Sequence, residues 1–156
     1  MNASLIKQLL AAFEARGVEY AVFGAVALNL LGLARATEDL DVFIAPDADN
    51  VERIKAALRD VFHDPEIDEI TAADLLGDYP AVQYNPPEGG LHIDIVTKLG
   101  TAYAFTDLEI GRVLFQDLSV AAVTPRTLYR MKKDTVRLKD RADAELLRER
   151  FGLESE

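Results

Sequence analysis

Cysteine and tryptophan are absent from the 156 residues, and there are only two histidines. The lack of cysteine excludes disulfides, thiolate metal sites and a cysteine nucleophile, and it favours a reducing, cytoplasmic location. No apolar run approaches the roughly 20 residues that a membrane-spanning helix needs. The N-terminal segment carries Lys7, Glu14 and Arg16 at helical spacing where a signal peptide would be apolar. We therefore expect a soluble protein with no membrane partner.

Positive charge is also scarce, with 17 Lys and Arg against 27 Asp and Glu, a formal net charge of -10. Such a molecule repels a polyanion, which argues against indiscriminate binding of long nucleic acids. A local exception lies between Arg126 and Arg141, where seven basic residues accompany only two acidic ones. Taken alone, this run predicts a solvated helix face with ion pairs. It is also the stretch of sequence best suited to contact an RNA.

The order of predicted elements indicates an α+β fold with a mixed β-sheet flanked by helices. Apolar residues at helical spacing predict a helix over 3–16, which Gly17 ends. The first half of the chain then predicts a strand, a short helix, a second strand and a third helix over 19–24, 25–32, 38–45 and 47–61. After Pro65 the sequence is harder to interpret, and only a short helix near 71–76 is predicted.

The second half of the chain predicts two hairpins followed by two helices. The first hairpin pairs 78–85 with 91–99 across the turn-rich "PPEGG" segment. The second spans 111–123 with Gln116 and Asp117 at its bend, and helices follow over 125–133 and 137–151. With 49% hydrophobic residues and no long linker, we predict one domain over 1–156. Its core would span about 1–123, and a C-terminal helical segment about 124–156.

Two carboxylates, Asp39 and Asp41, interrupt the apolar strand "EDLDVFI". Residues two apart in a strand point to the same side, so both side chains project from one face. Two such carboxylates beside an apolar core are costly unless a cation lies between them or one is protonated. For an isolated pair, the simplest interpretation is an edge strand whose outer face is exposed to solvent. Further features of the sequence favour a cation-binding site instead.

A third carboxylate, Asp94, lies in "LHIDIVTKL" between Ile93 and Ile95. If this strand lies beside the second one, Asp94 completes a cluster of three. Three oxygen ligands suit Mg²⁺, which takes few carboxylates and shares its other positions with water and phosphates. By itself, Asp94 is equally consistent with a surface position.

The passage "VFGAVALNLLG" runs from a strand into a helix through Gly24. The free N–H groups at such a helix start are able to bind an anion, because glycine leaves no side chain in the way. A plain tight turn is the simpler interpretation of this passage alone. A phosphate at this point would, however, lie next to the paired carboxylates of the following strand.

These residues resemble the nucleotidyltransferase superfamily of the DNA polymerase β type, and more specifically the AbiEii-type toxins and their small relatives. The resemblance rests on eight residues near the N-terminus: Gly24, Ala27, Gly32, Arg35, Thr37, Asp39, Leu40 and Asp41. It extends to the C-terminal segment through six more: Met131, Lys132, Arg137, Lys139, Asp140 and Asp143. The resemblance implies the nucleotidyltransferase fold. At Ala25 the chain departs from the Gly or Ser usual in the family, which removes a possible hydroxyl contact to phosphate.

The resemblance also implies a mechanism of nucleotidyl transfer from a nucleoside triphosphate such as ATP to a hydroxyl. Asp39 and Asp41 would hold Mg²⁺ against the triphosphate, and Asp94 would bridge to a second ion and help to deprotonate the acceptor. Mn²⁺ is an alternative to Mg²⁺. Lys132 would contact the triphosphate or the acceptor.

The remaining nucleotide-binding candidates are Gly24, Ala25, Arg35 and Thr37. The implied acceptor is an RNA such as tRNA, a protein hydroxyl or a small molecule, and a cognate antitoxin is a further expected partner. Two other functions stay open: a nucleotide-binding or partner-binding module with weak or no turnover, and a metal-dependent hydrolase that uses the same carboxylates.

Overall fold

The computed structural model describes residues 2–78, 80–99, 103–133 and 138–154. The strands are β1 (Tyr20–Phe23), β2 (Asp39–Ile44), β3 (Ala81–Tyr84), β4 (His92–Val96), β5 (Lys98–Leu99), β6 (Tyr103–Ala104), β7 (Ile110–Phe115) and β8 (Leu118–Val123). Six of them form the central sheet in the order β3-β4-β2-β1-β8-β7, and a separate two-stranded sheet pairs β5 with β6. The helices are α1 (Ala3–Ala15), α2 (Gly24–Leu30), α3 (Ala48–Val61), α4 (Ala72–Leu75), α5 (Pro125–Lys133) and α6 (Leu138–Phe151).

The sheet is mixed, as the sequence predicts. Strand β2 runs antiparallel to β1 and parallel to β4, while β1 runs parallel to β8. The outer pairs β3–β4 and β7–β8 are both antiparallel, which confirms the two predicted hairpins. Because β2 lies between β1 and β4, it is an interior strand. Exposure at the edge of a sheet therefore does not explain its two aspartates.

One face of the sheet packs against α1 and α3. The residues of β2 that alternate with the aspartates, Leu40, Val42 and Ile44, are fully buried together with Leu9 and Leu58. Each such side chain contributes roughly 1.5–3 kcal/mol relative to an exposed position. This burial fixes the register of β2, since a slip by one residue would turn its aspartates into the core.

Side-chain caps and one buried amide hold the ends of these elements. The Asp47 carboxylate accepts a hydrogen bond from the Asn50 N–H (2.7 Å) at the start of α3. The fully buried Asn50 amide donates to the carbonyls of Glu19 (2.9 Å) and Ala45 (3.1 Å), and its oxygen accepts from the Glu19 N–H (2.8 Å). One amide therefore joins the start of β1 to the end of β2.

The structure departs from the predicted elements in three places, one of which is a short 3₁₀ helix over Phe105–Asp107. A 3₁₀ helix occupies Pro65–Glu69, where no element was predicted. The apolar run predicted as one strand over 91–99 is broken at Thr97, whose buried hydroxyl donates to the Leu75 carbonyl. The chain beyond this break, Lys98–Leu99, leaves the main sheet and pairs with β6.

The other predicted elements agree with the structure. Gln116 adopts a φ of 58° at the bend between β7 and β8, as expected for a tight hairpin. Helix α6 is described from Leu138, and Arg137, where the last helix was predicted to begin, lies outside the described residues. In the part of the chain that the structure describes, no helix has the length and apolar character needed to span a bilayer.

Candidate active site

The three aspartates predicted from the sequence lie on neighbouring strands. Asp41 on β2 is directly opposite Asp94 on β4, and Asp39 is opposite His92. Side chains in such register are neighbours on one face, since adjacent strands lie about 5 Å apart. The adjacent residues Leu40, Ile93 and Ile95 are fully buried on the other side of the sheet. The fold therefore places the three carboxylates on the face of β2 and β4 that is opposite these buried core residues.

Asp41 is a partly buried carboxyl that contacts Asp94. Burial and the adjacent Asp94 carboxylate, with a hydrogen bond between the two groups, raise the pKa of Asp41 to about 7. A proton on Asp41 relieves its repulsion from the Asp94 carboxylate. Near neutral pH this pair therefore carries less than its full negative charge.

The chemistry of these ligands fits a hard divalent cation. A cation that replaces the shared proton relieves the same repulsion, and carboxylate oxygens are the ligands that Mg²⁺ prefers. Within the described residues, no three acidic or histidine side chains are arranged to hold one ion as they stand. Asp41 and Asp94 supply the two carboxylates that Mg²⁺ commonly takes, and the exposed Asp39 adjoins them.

Gly24 packs directly against Asp41. It has a φ of +70°, and a Cβ at this position would lie 2.1 Å from Asp41 Oδ2. Glycine is therefore required both by the backbone conformation and by the space. Phe23, which precedes α2, provides no side-chain cap for its first N–H groups. The uncapped start of α2 thus lies beside the carboxylate cluster.

Lys132 of α5 belongs to a network of buried and half-buried charges. Its ammonium lies 3.2 Å from Asp140 Oδ1 and 3.3 Å from Asp143 Oδ2. Arg35 completes the network from the other side, because its Nε donates to Asp143 Oδ1 at 2.7 Å. The Asp143 side chain is only 3% exposed and joins the loop before β2 to the two C-terminal helices.

Arg35 and Thr37 also organise the loop that leads into β2. The Asn29 amide accepts from the Arg35 N–H (2.6 Å) and donates to the Arg35 carbonyl (2.9 Å). The Thr37 hydroxyl oxygen accepts from the Asp39 N–H at 3.0 Å. These contacts fix the path of the chain immediately before the first aspartate.

A cavity of about 540 Å³ collects most of these groups. Seven of the eight residues predicted for the site line it: Gly24, Ala25, Thr37, Asp39, Asp41, Asp94 and Lys132. Arg35 lies outside this lining and reaches it through Asp143. Seven further residues line the cavity that were not predicted as site residues: Phe23, Leu99, Tyr103, Leu128, Met131, Asp140 and Asp143.

The sequence held a signal for some of these additional residues and none for others. Met131, Asp140 and Asp143 lie in the C-terminal segment that carries the resemblance. That segment also predicts that Arg137 pairs with Asp140 or Asp143 and so ties the last two helices together. Arg137 lies outside the described residues, and Lys132 and Arg35 bind Asp143. No pattern around Leu99 or Tyr103 indicates that a two-residue strand pair borders the site.

Two lysines in the described part of the basic run over 126–141 are less open to solvent than the composition of the run suggests. Lys132 is directed to Asp140 and Asp143 with only 12% of its side chain exposed, and the Lys133 ammonium lies 5.8 Å from the centre of the Tyr129 ring. Part of this positive charge is therefore neutralised within the protein.

Comparison with known proteins identifies the family. The sequence profile of the nucleotidyl transferase AbiEii toxin, from a type IV toxin–antitoxin system, matches residues 8–145. The chain belongs to this family of nucleotidyltransferases. No curated protein matches the chain significantly by sequence.

Solved structures with the same fold are distant in sequence. One is the crystal structure of ANT(2″)-Ia in complex with adenylyl-2″-tobramycin, with 14% identity, a TM-score of 0.59 and an alignment that covers 96% of this chain and 89% of that chain. Another is the solution structure of the antibiotic-resistance factor ANT(2″)-Ia, with 14% identity, a TM-score of 0.60 and coverage of 96% of this chain and 84% of that chain. A third is a protein from Thermotoga maritima assigned as a nucleotidyltransferase, with 11% identity, a TM-score of 0.55 and coverage of 96% of this chain and 91% of that chain. At these identities the likeness establishes the nucleotidyltransferase fold alone.

Proposed function

We propose that the protein transfers a nucleoside monophosphate from a nucleoside triphosphate to a hydroxyl acceptor in a Mg²⁺-dependent reaction. The observation that carries this proposal is the position of Asp41 between Asp94 and the backbone of Gly24. This arrangement sets a cation-binding carboxylate cluster beside backbone donors that suit a phosphate. Family membership supports the same class of reaction.

Asp39, Asp41 and Asp94 are the residues proposed to hold the metal, with two Mg²⁺ ions as the expected number and Mn²⁺ as a substitute. When bound, the metal supplies neutralisation of the triphosphate charge and activation of the attacking hydroxyl. Asp94 is the proposed base that accepts the acceptor proton. The low exposure of Asp41 strengthens these electrostatic effects, because partly buried charges are less screened than exposed ones.

The remaining residues are proposed to position the donor nucleotide. The N–H groups at Gly24 and Ala25 would donate hydrogen bonds to the phosphates, and Lys132 would contribute a point charge within the same cavity. Thr37 and Arg35 would act through the backbone of Asp39 and through Asp143 respectively, as their contacts indicate. Ala25 stands where the family usually carries Gly or Ser and lacks the hydroxyl contact that Ser would offer, so backbone donors would carry more of the phosphate contact.

The proposed biological role is that of a toxin whose cognate antitoxin is the protein partner, in line with the description of the family. The acceptor hydroxyl would belong to a macromolecule such as tRNA or another protein. ANT(2″)-Ia, which has the same fold, was crystallised with adenylyl-2″-tobramycin, and this supports the proposal that a protein of this fold can bind a nucleotidyl adduct.

Pyrophosphate release tests the proposal. The wild type should release pyrophosphate from at least one of the four ribonucleoside triphosphates when Mg²⁺ and a cell extract supply metal and acceptor. D41N and D94N should abolish this release, while D60N, which alters a surface aspartate paired with Arg16, should not. Monophosphate as the product would indicate a hydrolase, and nucleotide binding without turnover would indicate a binding module.

A further inference from the structure

One of the two histidines of the chain lies on the face of the sheet that carries the three aspartates. His92 begins β4 two residues before Asp94, so the two side chains project from the same face. His92 is also the register partner of Asp39 on β2, and its N–H donates to the Glu38 carbonyl at 2.8 Å. Neighbouring strands lie about 5 Å apart. The imidazole and the Asp39 carboxylate are therefore neighbours across the two strands.

Asn85 fixes the orientation of this imidazole. It follows β3, which lies on the side of β4 away from β2, and its Oδ1 lies 2.7 Å from His92 Nδ1. An amide oxygen only accepts hydrogen bonds, so Nδ1 carries the proton and Nε2 of the neutral ring keeps a lone pair. Because Nδ1 and Cδ2 lie on opposite sides of Cγ and Nε2 adjoins Cδ2, the edge of the ring that carries Nε2 is turned away from Asn85. Strand β2, with Asp39, lies on that side of β4.

Both groups are open to a further ligand. Among the described residues, no hydrogen bond or ion pair engages His92 Nε2 or the Asp39 carboxylate, and Asp39 contacts Thr37 through its backbone N–H and carbonyl. The Asp39 side chain is exposed, which leaves it free to rotate, and the imidazole is half-buried. The pair thus offers one nitrogen and one carboxylate ligand beside the Asp41–Asp94 pair, which offers oxygen alone.

We propose that His92 Nε2 and the Asp39 carboxylate together bind one of the two divalent ions of the proposed reaction, and that His92 makes this position prefer a transition-metal ion to Mg²⁺. Mg²⁺ favours oxygen ligands, whereas an imidazole nitrogen suits ions of the first transition series. Two protein ligands suffice, because an ion that acts on a triphosphate fills its other positions with water and phosphate oxygens. His92 would therefore determine the metal specificity of the site.

This inference rests on the proposed function, and metal binding without nucleotide tests it. Electron paramagnetic resonance of free Mn²⁺ gives the Mn²⁺ affinity, and competition with Mn²⁺ gives the Mg²⁺ affinity. H92A should weaken Mn²⁺ binding at least about tenfold and Mg²⁺ binding less than about threefold, because only the transition-metal ion gains from the nitrogen. H92Q replaces the imidazole with an amide and should lose the preference in the same way. H63A alters the other histidine, which is exposed, and should leave both affinities unchanged.

Pulsed electron paramagnetic resonance of bound Mn²⁺ detects a coordinated imidazole directly, through the coupling of its ¹⁴N nucleus to the metal. The wild type and H63A should both show this coupling, and H92A and H92Q should lack it. N85A should keep the coupling but bind Mn²⁺ more weakly, because Asn85 orients the imidazole without contacting the ion. A change that only loosened the start of β4 would weaken binding of both metals alike.

Three outcomes would overturn the inference and leave the proposed function intact. Bound Mn²⁺ without nitrogen coupling in the wild type would show that carboxylates alone hold the ion. Equal losses of Mg²⁺ and Mn²⁺ affinity in H92A would show that His92 supports the strand and is not a ligand. Loss of the coupling in H63A would assign the nitrogen to the other histidine. Failure of the wild type to bind either metal would instead refute the metal-dependent function together with this inference.

Discussion

Replacement of Asp41 by Asn should make the metal-free protein more stable above neutral pH, although it removes a proposed metal ligand. The Asn side chain has the same shape, so it fits the space beside Gly24, and its amide is able to donate to Asp94. Burial first, and the Asp94 carboxylate second, raise the pKa of Asp41 to about 7 in the folded protein. Asn removes the cost of ionising this group.

The sign of the pH dependence follows from the direction of this shift. Between the unfolded pKa of 3.8 and the folded pKa of about 7, the folded protein holds a proton on Asp41 that the unfolded chain has lost. The free energy of unfolding of the wild type therefore falls, relative to D41N, as the pH rises through this window. About three pKa units correspond to a ceiling of roughly 4 kcal/mol. For a chain of this size, that is on the order of 10 °C in melting temperature.

Thermal and urea unfolding of both proteins between pH 5 and pH 8, with a chelator present, measures this difference. D60N serves as a control whose difference from the wild type should stay constant between pH 5 and pH 8, since the Arg16 guanidinium lowers the pKa of Asp60 and the group is ionised throughout this range. Its wild-type contribution is present above the unfolded pKa and is lost as the pH falls through the folded value. A difference between D41N and wild type that stays constant from pH 5 to pH 8 would refute the reasoning.

Added Mg²⁺ should reverse the order of stability of the wild type and D41N. Saturating Mg²⁺ at pH 8 stabilises any folded state that binds it, by an amount set by its concentration relative to the dissociation constant. We expect the wild type to gain melting temperature with added Mg²⁺ and D41N to gain little. An equal gain in both proteins would show that Mg²⁺ binds elsewhere.

Three further predictions concern the surroundings of the cluster. G24A should destabilise the protein by roughly 1–3 kcal/mol and abolish turnover, because its Cβ would displace the Asp41 carboxylate; urea unfolding and pyrophosphate release measure both effects, and normal turnover would contradict the packing. A25S should tighten binding of a non-hydrolysable triphosphate analogue by about 0.5–1.5 kcal/mol, the value of one hydrogen bond; weaker binding in calorimetry would show that phosphate does not bind there. D143N should cost about 3 kcal/mol because it leaves Arg35 and Lys132 without this shared carboxylate, and D140N should cost less in the same unfolding assay because Asp140 is more exposed.

The carboxylate cluster was predictable because it depends on local pattern. Strand alternation alone puts Asp39 and Asp41 on one face, and the apolar neighbours of Asp94 mark a second strand of the same kind. Pairing of β2 with β4 was a further assumption, and the structure confirms it. Gly24 was recognisable as a turn residue, but its distance from the Asp41 carboxylate depends on the β1–β2 register and could be learned only from the structure.

The cavity walls were not predictable because they depend on contacts between distant segments. The apolar run through 91–99 gives no sign of a break, which arises from the hydrogen bond of Thr97 to Leu75 in α4. Arg35 and Asp143 are 108 residues apart, and neither sequence neighbourhood indicates the other as its partner. Local periodicity therefore located the carboxylates, whereas tertiary structure determined what surrounds them.

The charges around the cavity fall into two groups with opposite consequences. In the network of Arg35, Lys132, Asp140 and Asp143, the three ion pairs each join a cation to an anion, so an added ion of either sign gains little there. The Asp41–Asp94 pair consists of two carboxyl groups, and in the metal-free protein a proton on Asp41 relieves the repulsion between them. Lys132 is held at 3.2–3.3 Å by carboxylates of the network and is not directed to this pair alone. Lys132 favours the ionised form of Asp41 less than burial and Asp94 oppose it, and we propose that a metal ion supplies the further positive charge at this pair.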